Sequence, residues 1–496
     1  MRKLSTLSLL LSFLACSLLL PAQQDSFERQ CGTPPEISPW LAFFQTNQAA
    51  FPRSSDPYYV PLAIHLVGTT NGEGHLPFHQ ALEAFCALNE DFEQADIQFY
   101  LNGAVRYINS DQYYSHSYSG GIEMMGRHNV PNAINCYIVD NAAGYCGYAF
   151  HTLGIVLNKH CLEPGSHTWA HEMGHFLSLP HTFHGWESAN HAYQQPAPQQ
   201  INGRQVEHAD GSNCRQAGDG FCDTGADYLN ARWACQPTGL SQQVQHDPMG
   251  RAFRSEGSLL MSYAQDACAN RFSEEQIAAM RANLQTQRPN LLADQPQPRQ
   301  LLEQIIGPVE PAQGTLISNV SSLSLRWPAV AAAEGYLIAV NMIAPDGTGG
   351  EMPFAVYHAP SNSLEIEGLL SERSWHWRVK PFNRFDGCAA YSEPFIFDTG
   401  LFLSNTQEQT TFGGFMLHPN PQQAGQPVIV QFELPFAFNL HLSLYAADGR
   451  RLRQQSLIGH YGYNEAAFPT TGLPAGLYWL GIEHAGGRKF QKIVLR

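Results

Sequence analysis

The sequence has few charged residues and few basic ones. Only 14% of its 496 residues are charged, and 28 Lys and Arg stand against 43 Asp and Glu, which gives a net charge of −15. Such an acidic surface argues against nucleic acid and anionic membranes as partners. Beyond its N-terminus the chain also lacks an apolar run long enough to cross a bilayer as a helix. We therefore expect no transmembrane helix in the mature protein.

The one long apolar run lies at the N-terminus. Arg2 and Lys3 precede it, serines interrupt it and a Pro-Ala pair follows it, a pattern typical of a cleaved signal peptide. We expect residues 1–22 to be removed on export and the protein to be secreted or attached to the cell surface. A lipoprotein anchored through Cys16 is a weaker interpretation because the apolar run continues beyond that residue.

Cysteine is nearly absent from the second half of the chain. Of the 11 cysteines one lies in the leader, nine lie between Cys31 and Cys268, and only Cys388 lies further on. Export places these thiols in an oxidising compartment, so we expect disulfides in the first half.

The length predicts about three domains. Residues 23–55 are polar and contain proline, and we interpret them as a pro-segment. Residues 56–292 mix strand and helix patterns and predict an α+β domain. After a Gln- and Pro-rich linker at 295–300 the helical signals vanish, so residues 306–399 and 414–496 are each predicted to be all-β sandwiches. In the α+β domain the patterns predict strands and helices at the following positions: Val60–Val67, Ile97–Leu101 and Cys136–Val139 as strands; Ala81–Phe92, Thr168–Leu177 and the segment from Ser273 as helices.

The clearest candidate site in the sequence is a possible metal site in the stretch His171-Glu172-Met173-Gly174-His175, which His181 follows. Residues four apart share one face of a helix, so both imidazoles can reach one ion. Pro180 ends the helix and lets the chain turn back to bring His181 to the same ion. A catalytic zinc has three protein ligands and one open position for water. Chance predicts roughly 0.002 such arrangements in a chain of this composition.

Glu172 favours catalytic over structural zinc. It is not needed as a ligand, yet it lies beside the open position, where it can take a proton from water and return it to the leaving amine. The alternative is a surface adhesin or binding protein that keeps a structural zinc site. The sandwich domains favour that alternative and Glu172 disfavours it.

These residues resemble the motif of the metzincin zinc peptidases, and within that clan the pappalysin family. Ser178 stands where the family usually has Gly, at a position expected to need positive φ. Leu260-Met261-Ser262-Tyr263 resembles the family's Met-turn. The resemblance implies a metzincin-type catalytic domain, with Met261 as a hydrophobic floor below the zinc and Tyr263 steadying the transition-state oxyanion. It also implies protein or peptide substrates.

The segment from Gly218 to Thr224 resembles a family loop that can bind calcium, although Gly225 replaces a Pro. Asp219 and Thr224 would supply hard oxygen ligands. An ordinary acidic turn is the alternative. The spacing of the cysteines and the resemblance favour three disulfides: Cys146–Cys161, Cys214–Cys222 and Cys235–Cys268. Cys86 and Cys136 are expected either to pair with each other or to remain buried thiols.

Asp266 follows the predicted Met-turn directly. In basic-specific relatives an Asp at this place lies at the floor of the pocket for the residue after the cut bond, so the resemblance implies cleavage before Arg or Lys. Asp266 could instead cap a turn or bind calcium. A strand near Gly154–Leu157 is expected to hold the substrate by edge pairing.

The segment Gln30–Pro34 resembles the cysteine switch of metzincin pro-peptides. A Cys31 thiolate in the open zinc position would exclude water and keep the precursor latent. The alternative is a disulfide from Cys31 to Cys86 or Cys136. Activation would require a cut before Val60, for example near Arg53.

The C-terminal domains carry two further resemblances. Residues 306–399 resemble a fibronectin type III module, with four aromatic residues expected to anchor its core: Trp327, Tyr336, Trp375 and Trp377. Residues 414–496 resemble the C-terminal sorting domain of type IX secretion, which implies that secretion machinery as a partner. The motifs that carry this second resemblance are Leu417-His418-Pro419-Asn420-Pro421, Leu444-Tyr445, Asp448-Gly449-Arg450, Leu473-Pro474-Ala475-Gly476-Leu477-Tyr478 and Lys489.

Overall fold

A computed structural model describes residues 31–51, 54–298, 309–317, 323–344, 350–370, 372–400, 413–434, 438–446, 450–459, 462–484 and 487–496. The expected signal peptide, the activation site near Arg53, the last two linker residues and the pair Asp448-Gly449 lie outside these ranges. Among the described residues, no helix combines the length and apolar character that a membrane span requires.

The first unit, residues 31–298, is built on a mainly parallel sheet with helices packed against it. Its helices are α1 (Pro39–Thr46), α2 (Phe78–Phe92), α3 (Asp111–Tyr114), α4 (Tyr118–His128), α5 (Thr168–Phe176) and α6 (Glu274–Thr286). Its strands are β1 (Tyr58–Gly68), β2 (Ile97–Leu101), β3 (Arg106–Asn109), β4 (Ser115–His116), β5 (Ile134–Val139), β6 (Asn141–Ala142), β7 (Gly147–Phe150), β8 (Gly154–Asn158), β9 (Gln200–Ile201), β10 (Arg204–Gln205), β11 (Gln245–His246) and β12 (Ala252–Phe253).

The main sheet runs in the order β2-β1-β5-β8-β7, and β3 also pairs with β1. All of these pairs are parallel except β7 with β8. Every residue of β5 is buried, as is typical of a parallel strand covered on both faces. The strands and helices expected from the apolar patterns coincide with β1, β2, β5, α2, α5 and α6.

The expectation that Gly154–Leu157 forms the substrate edge is wrong. That stretch belongs to β8, which pairs with β5 on one side and with β7 on the other. The chain reverses between Phe150 and Gly154, so β7 folds antiparallel over the outer side of β8 and becomes the edge strand. Any edge pairing by a peptide therefore involves β7.

Two all-β units follow, each with two sheets around a hydrophobic core of its own. The strands of the second unit are β13 (Thr315–Ile317), β14 (Leu323–Arg326), β15 (Gly335–Ile343), β16 (Glu351–Ala359), β17 (Ser363–Ile366), β18 (Arg373–Phe382) and β19 (Phe395–Thr399). Those of the third are β20 (Gly413–His418), β21 (Val428–Leu434), β22 (Phe438–Ala446), β23 (Arg451–Gly459), β24 (Gly462–Phe468), β25 (Gly476–His484) and β26 (Gly487–Leu495). The four aromatic anchors expected in the second unit are all buried in its core.

The disulfides include Cys146–Cys161, Cys214–Cys222 and Cys235–Cys268, the three pairs expected from the sequence. The expected alternatives for Cys86 are wrong, because Cys86 pairs with Cys388, 302 residues away. This bridge joins α2 to the second unit. The Leu101 amide of β2 also donates to the Arg384 carbonyl at 2.8 Å, so the second unit continues the hydrogen bonding of the main sheet. Cys136 is a buried free thiol.

Candidate metal centre and substrate cleft

Helix α5 lies in the core of the first unit, and all of its residues from Trp169 to Phe176 are buried. The helix ends at Leu177 and the chain turns through Ser178, whose φ is 80°. Left-handed backbone is costly for a residue with a side chain. Asn283 of α6 donates a hydrogen bond of 2.9 Å to the Ser178 hydroxyl and helps to hold this turn. The turn is what directs His181 back toward the helix.

Three imidazole rings converge beyond this turn. The Nε2 atom of His175 lies 3.1 Å from Nε2 of His171 and 3.1 Å from Nε2 of His181. Two nitrogens that each lie 2.0–2.1 Å from one tetrahedral zinc ion stand roughly 3.3 Å apart. The spacing of the three atoms therefore fits a common metal ion.

The opposite nitrogen of each ring is held by an acceptor. The Nδ1 atoms contact the Leu260 carbonyl for His171 (2.7 Å), the Leu179 carbonyl for His175 (2.8 Å) and the Glu187 carboxylate for His181 (3.2 Å). A carbonyl can only accept, so Nδ1 carries the proton in the first two rings and the Nε2 lone pair points inward. Burial lowers the pKa of His171 to about 3 and that of His175 well below its usual value. Both rings are therefore neutral, as metal ligation requires.

Glu172 lies on the same helix and is 1% exposed. Burial raises its pKa to about 7, although a hydrogen bond from the Thr33 hydroxyl (2.8 Å) acts in the opposite direction. The backbone of β7 passes close by: a Cβ atom on Gly147 would stand 2.8 Å from Cγ of Glu172. Glycine at that position therefore lets the edge strand approach the carboxylate.

The N-terminal segment that begins at Cys31 reaches this site. The Cys31 sulfur and the three imidazoles offer ligand atoms that all lie within 4.8 Å of one another. Cys31 is a free thiol, so the alternative of a disulfide to Cys86 or Cys136 is wrong. Burial and the nearby Glu172 charge raise the pKa of the Cys31 thiol well above its usual value, so a thiolate there needs a neighbouring cation.

Hydrogen bonds, most of them from the backbone, hold residues 31–33 against β7 and the neighbouring side chains. Cys31 forms a parallel bridge with Gly147 of β7, and the Gly32 amide donates to the Gly147 carbonyl at 2.8 Å. The Tyr118 hydroxyl donates to the Gly32 carbonyl at 2.5 Å. The Ala149 amide donates to the Thr33 hydroxyl, which itself donates to Glu172. The segment thus pairs with the free edge of the sheet and also hydrogen-bonds with Glu172, the candidate general base.

The residues of the expected Met-turn lie below and beside the three rings. Met261 is fully buried, and a Cβ atom on Gly174 would stand 2.4 Å from its sulfur, so the turn packs directly against α5. The ring of Tyr263 lies 5.0 Å from that of His181. Its hydroxyl accepts a hydrogen bond of 3.1 Å from the Cys31 amide.

Asp227 links these elements, and the sequence did not single it out. Its buried carboxylate accepts hydrogen bonds from Thr182 (2.7 Å), Ser262 (3.1 Å) and Ser255 (2.6 Å). It therefore ties the residue after His181 to the Met-turn. In the acidic loop that precedes Asp227, the sequence motif points to Asp219 instead.

A second cluster of buried polar side chains lies around that acidic loop. Asp219 is fully buried and accepts hydrogen bonds from the Thr224 hydroxyl (3.0 Å) and the Phe221 amide (3.0 Å). Glu207 is 2% exposed, and neither of its carboxylate oxygens has a hydrogen-bond partner among the described residues. Burial and the Asp219 charge raise the pKa of Glu207 to about 9, and burial raises that of Asp219 to about 8. An unpartnered carboxylate beside another acid suits a hard cation.

Asp266 lines a small cavity that Glu172 and His171 also line. Its carboxylate is not free: Arg232 donates to it at 2.5 Å and the His167 amide at 3.3 Å. Neither the sequence pattern nor the family resemblance pointed to Arg232.

Comparison with known proteins gives one relative in the curated set. The chain is 30% identical over 209 residues to an extracellular metalloprotease of Colletotrichum graminicola. The match covers 36% of this chain and 73% of that protein. No protein-family model matches the sequence. Among solved structures, the chicken CNTN1 FN1–FN3 domains match with 11% identity over 39% of this chain and 64% of theirs, at a TM-score of 0.15. The fn3 domain of human collagen alpha-1(XX) matches with 17% identity over 20% of this chain and 94% of its own, also at 0.15.

Proposed function

The chain belongs to the family of the extracellular metalloprotease of Colletotrichum graminicola, and from that premise we propose that it is a secreted zinc endopeptidase. The zinc is held by His171, His175 and His181. The observation that carries the proposal is the convergence of their Nε2 atoms at 3.1 Å, with Nδ1 of each ring turned to an acceptor. The pappalysin family of metzincins is the closer assignment that we propose, on the motif from His171 to His181 and the Met-turn at Met261.

Different side chains around the metal supply proton transfer and oxyanion stabilisation during hydrolysis. A zinc ion held by the three imidazoles would act as a Lewis acid and would lower the pKa of a coordinated water toward neutrality. Glu172 takes the proton of the attacking water and delivers it to the leaving amine. Tyr263 donates its hydroxyl proton in a hydrogen bond to the developing oxyanion. Both residues hydrogen-bond with the pro-segment, so they can act on a substrate only when its hold on the site is loosened.

The pro-segment is proposed to keep the enzyme latent. Cys31 completes a ligand set with the three imidazoles, and Thr33 occupies Glu172. The backbone pairing with β7 takes the place that a substrate backbone needs. Latency is therefore expected to depend on the thiol and on the backbone contacts together.

Calcium is proposed at the second polar cluster. Asp219 and Thr224 supply oxygens, as the resemblance implied, and the orphaned carboxylate of Glu207 adds a ligand that the sequence did not indicate. Calcium prefers six to eight such oxygens. The ion would neutralise two buried acids whose pKa values are both raised.

Asp266 is proposed to select a basic residue after the cut bond, so that cleavage occurs before Arg or Lys. It lines the same cavity as Glu172 and His171, and this shared cavity supports the proposal. A carboxylate in a partly enclosed pocket pairs with Arg bidentately or with Lys as a point charge.

The two all-β units are proposed to have separate roles, one as a domain fixed to the catalytic domain and the other in export of the protein. Residues 306–399 form a fibronectin type III-like domain fixed to the catalytic domain, residues 56–292, through the bridge from Cys86 to Cys388. Residues 414–496 are proposed to be a type IX sorting domain that directs the protein to the cell surface or beyond.

A reconstitution experiment tests the proposed function. Protein freed of its pro-segment should cleave unfolded polypeptides, lose activity on chelation and regain it with zinc. The competing proposal, an adhesin with structural zinc, expects no cleavage at any metal content. Absence of cleavage by the zinc-loaded, processed protein would reject the peptidase assignment.

A further inference from the structure

Arg232 and Asp266 form an ion pair inside the cavity next to the metal centre. Nη2 of Arg232 donates to Oδ2 of Asp266 at 2.5 Å, and the side chains are 31% and 22% exposed. Both line the cavity that Glu172 and His171 line. The Arg232 guanidinium is therefore already paired with the Asp266 carboxylate, which is the group proposed to bind a basic substrate side chain.

The backbone holds the two residues face to face. The Trp233 amide donates to the Tyr263 carbonyl at 3.1 Å, and the Gln265 amide donates to the Trp233 carbonyl at 2.8 Å. The disulfide Cys235–Cys268 joins the same two segments a few residues further on. The backbone and the disulfide thus hold together the two segments that carry Arg232 and Asp266.

Cys31 also lines this cavity, so departure of the segment that begins at Cys31 would open it further toward a substrate side chain. Asp266 is the one hydrogen-bond acceptor of the Arg232 side chain among the described residues. Because the pair is partly exposed and such pairs are weak, Arg232 can release Asp266 and swing toward solvent.

We propose that Arg232 is a specificity-determining residue: it serves as the internal counter-ion of Asp266 and competes with the basic side chain of the substrate for that carboxylate. The inference rests on the proposed peptidase function. With Arg232 in place the net charge of the pair is zero, so the preference for Arg or Lys is moderate. Without it the pocket carries an uncompensated negative charge.

The test compares two peptides that differ only after the cut bond, one with Arg and one with citrulline, its uncharged isostere. The readout is the ratio of their kcat/KM values with processed protein. Arg232→Gln should raise the ratio about tenfold, and Arg232→Lys, which keeps the charge, should leave it near the starting value. Asp266→Asn should lower the ratio below that of the unchanged protein because Arg232 then repels the substrate cation.

Arg215→Gln is the matched control. Arg215 pairs with Glu275 at 2.5 Å with a similar exposure of 34% and 20%, but it does not line the cavity. This variant should leave the ratio unchanged. If Arg232→Gln also leaves it unchanged, or lowers it, the proposed competition is wrong.

A binding measurement separates this inference from the peptidase assignment. Processed Glu172→Ala protein, with and without Arg232→Gln, is titrated with labelled forms of the same two peptides. Arg232→Gln should increase the Arg-over-citrulline affinity ratio about tenfold even if no hydrolysis is ever seen. An affinity ratio that Arg232→Gln does not change would overturn the role of Arg232, whereas absence of cleavage alone would overturn only the peptidase assignment.

Discussion

Two clusters of buried polar side chains lie in the first unit, and they differ in how far the protein itself satisfies them. In the imidazole cluster of His171, His175 and His181, each ring has a partner for Nδ1 and turns Nε2 inward. In the acidic cluster of Asp219 and Glu207, one carboxylate is hydrogen-bonded and the other has no partner among the described residues. The first is a preorganised site for a metal, while the second carries a charge that only a proton or a cation can neutralise.

This difference implies different consequences of metal loss. His171 and His175 stay neutral without an ion, since burial keeps the pKa values of both rings low. The acidic cluster must bind protons when no cation is present, because the pKa of Glu207 is raised to about 9. Loss of the proposed zinc should therefore affect chemistry, and loss of the proposed calcium should affect folding stability.

The largest expected effect comes from breaking the imidazole cluster. His175→Ala should remove zinc and reduce peptidase activity to background, because the central ring contacts both others. Glu207→Gln, the matched change in the acidic cluster, should keep both zinc and activity at moderate temperature. Metal analysis and peptide assays on the two purified variants check this, and a loss of zinc from Glu207→Gln would erase the distinction between the clusters.

The next effect concerns Cys31, whose sulfur lies beside the imidazole cluster. Cys31→Ala should make the precursor prematurely active, because the fourth position of the metal becomes open to water. Thr33→Val, which removes the hydroxyl at Glu172, should give a smaller rise because the thiol remains in place. Activity is measured on uncleaved precursor, and equal inertness of all three proteins would refute the thiol switch.

The smallest effect is a pH dependence of stability. The folded-state pKa of Glu207 lies above the usual value of 4.5, at about 9, so its stabilising contribution is full below about 4.5. That contribution is lost as pH rises through about 9. Without calcium the melting temperature should fall over this range, and calcium should flatten the decline.

Glu207→Gln serves as the control, since the neutral amide removes this titration. Its calcium-free melting curve should depend less on pH than that of the unchanged protein. An equal slope in the two proteins would show that Glu207 is not the group responsible.

The sequence predicted the imidazole cluster because its residues lie within 11 positions on one helix and the following turn. Cys31 and Tyr263 were found through short motifs that lie on either side of it. Glu187, Asp227 and Arg232 were missed because loops without a periodic pattern bring them to the site.

Long-range contacts escaped prediction for the same reason. Cys86 and Cys388 are 302 residues apart, so only the packing of the second unit against α2 and β2 brings them together. Glu207, whose carboxylate has no hydrogen-bond partner among the described residues, belongs to no recognisable sequence motif. The sequence analysis expects the substrate edge at residues 154–157, but the short strand β7 folds back against β8 through a hairpin and forms the edge instead.

Zinc titration of the Glu172→Ala protein tests the central claim most directly. With its pro-segment removed, this variant should bind one zinc with the affinity of the unchanged protein, because the three imidazoles and their acceptors are intact. Its kcat should fall by about 10² or more, because the proton of the attacking water then has no acceptor. Unchanged zinc affinity together with near-normal hydrolysis would contradict the assignment of Glu172 as general base.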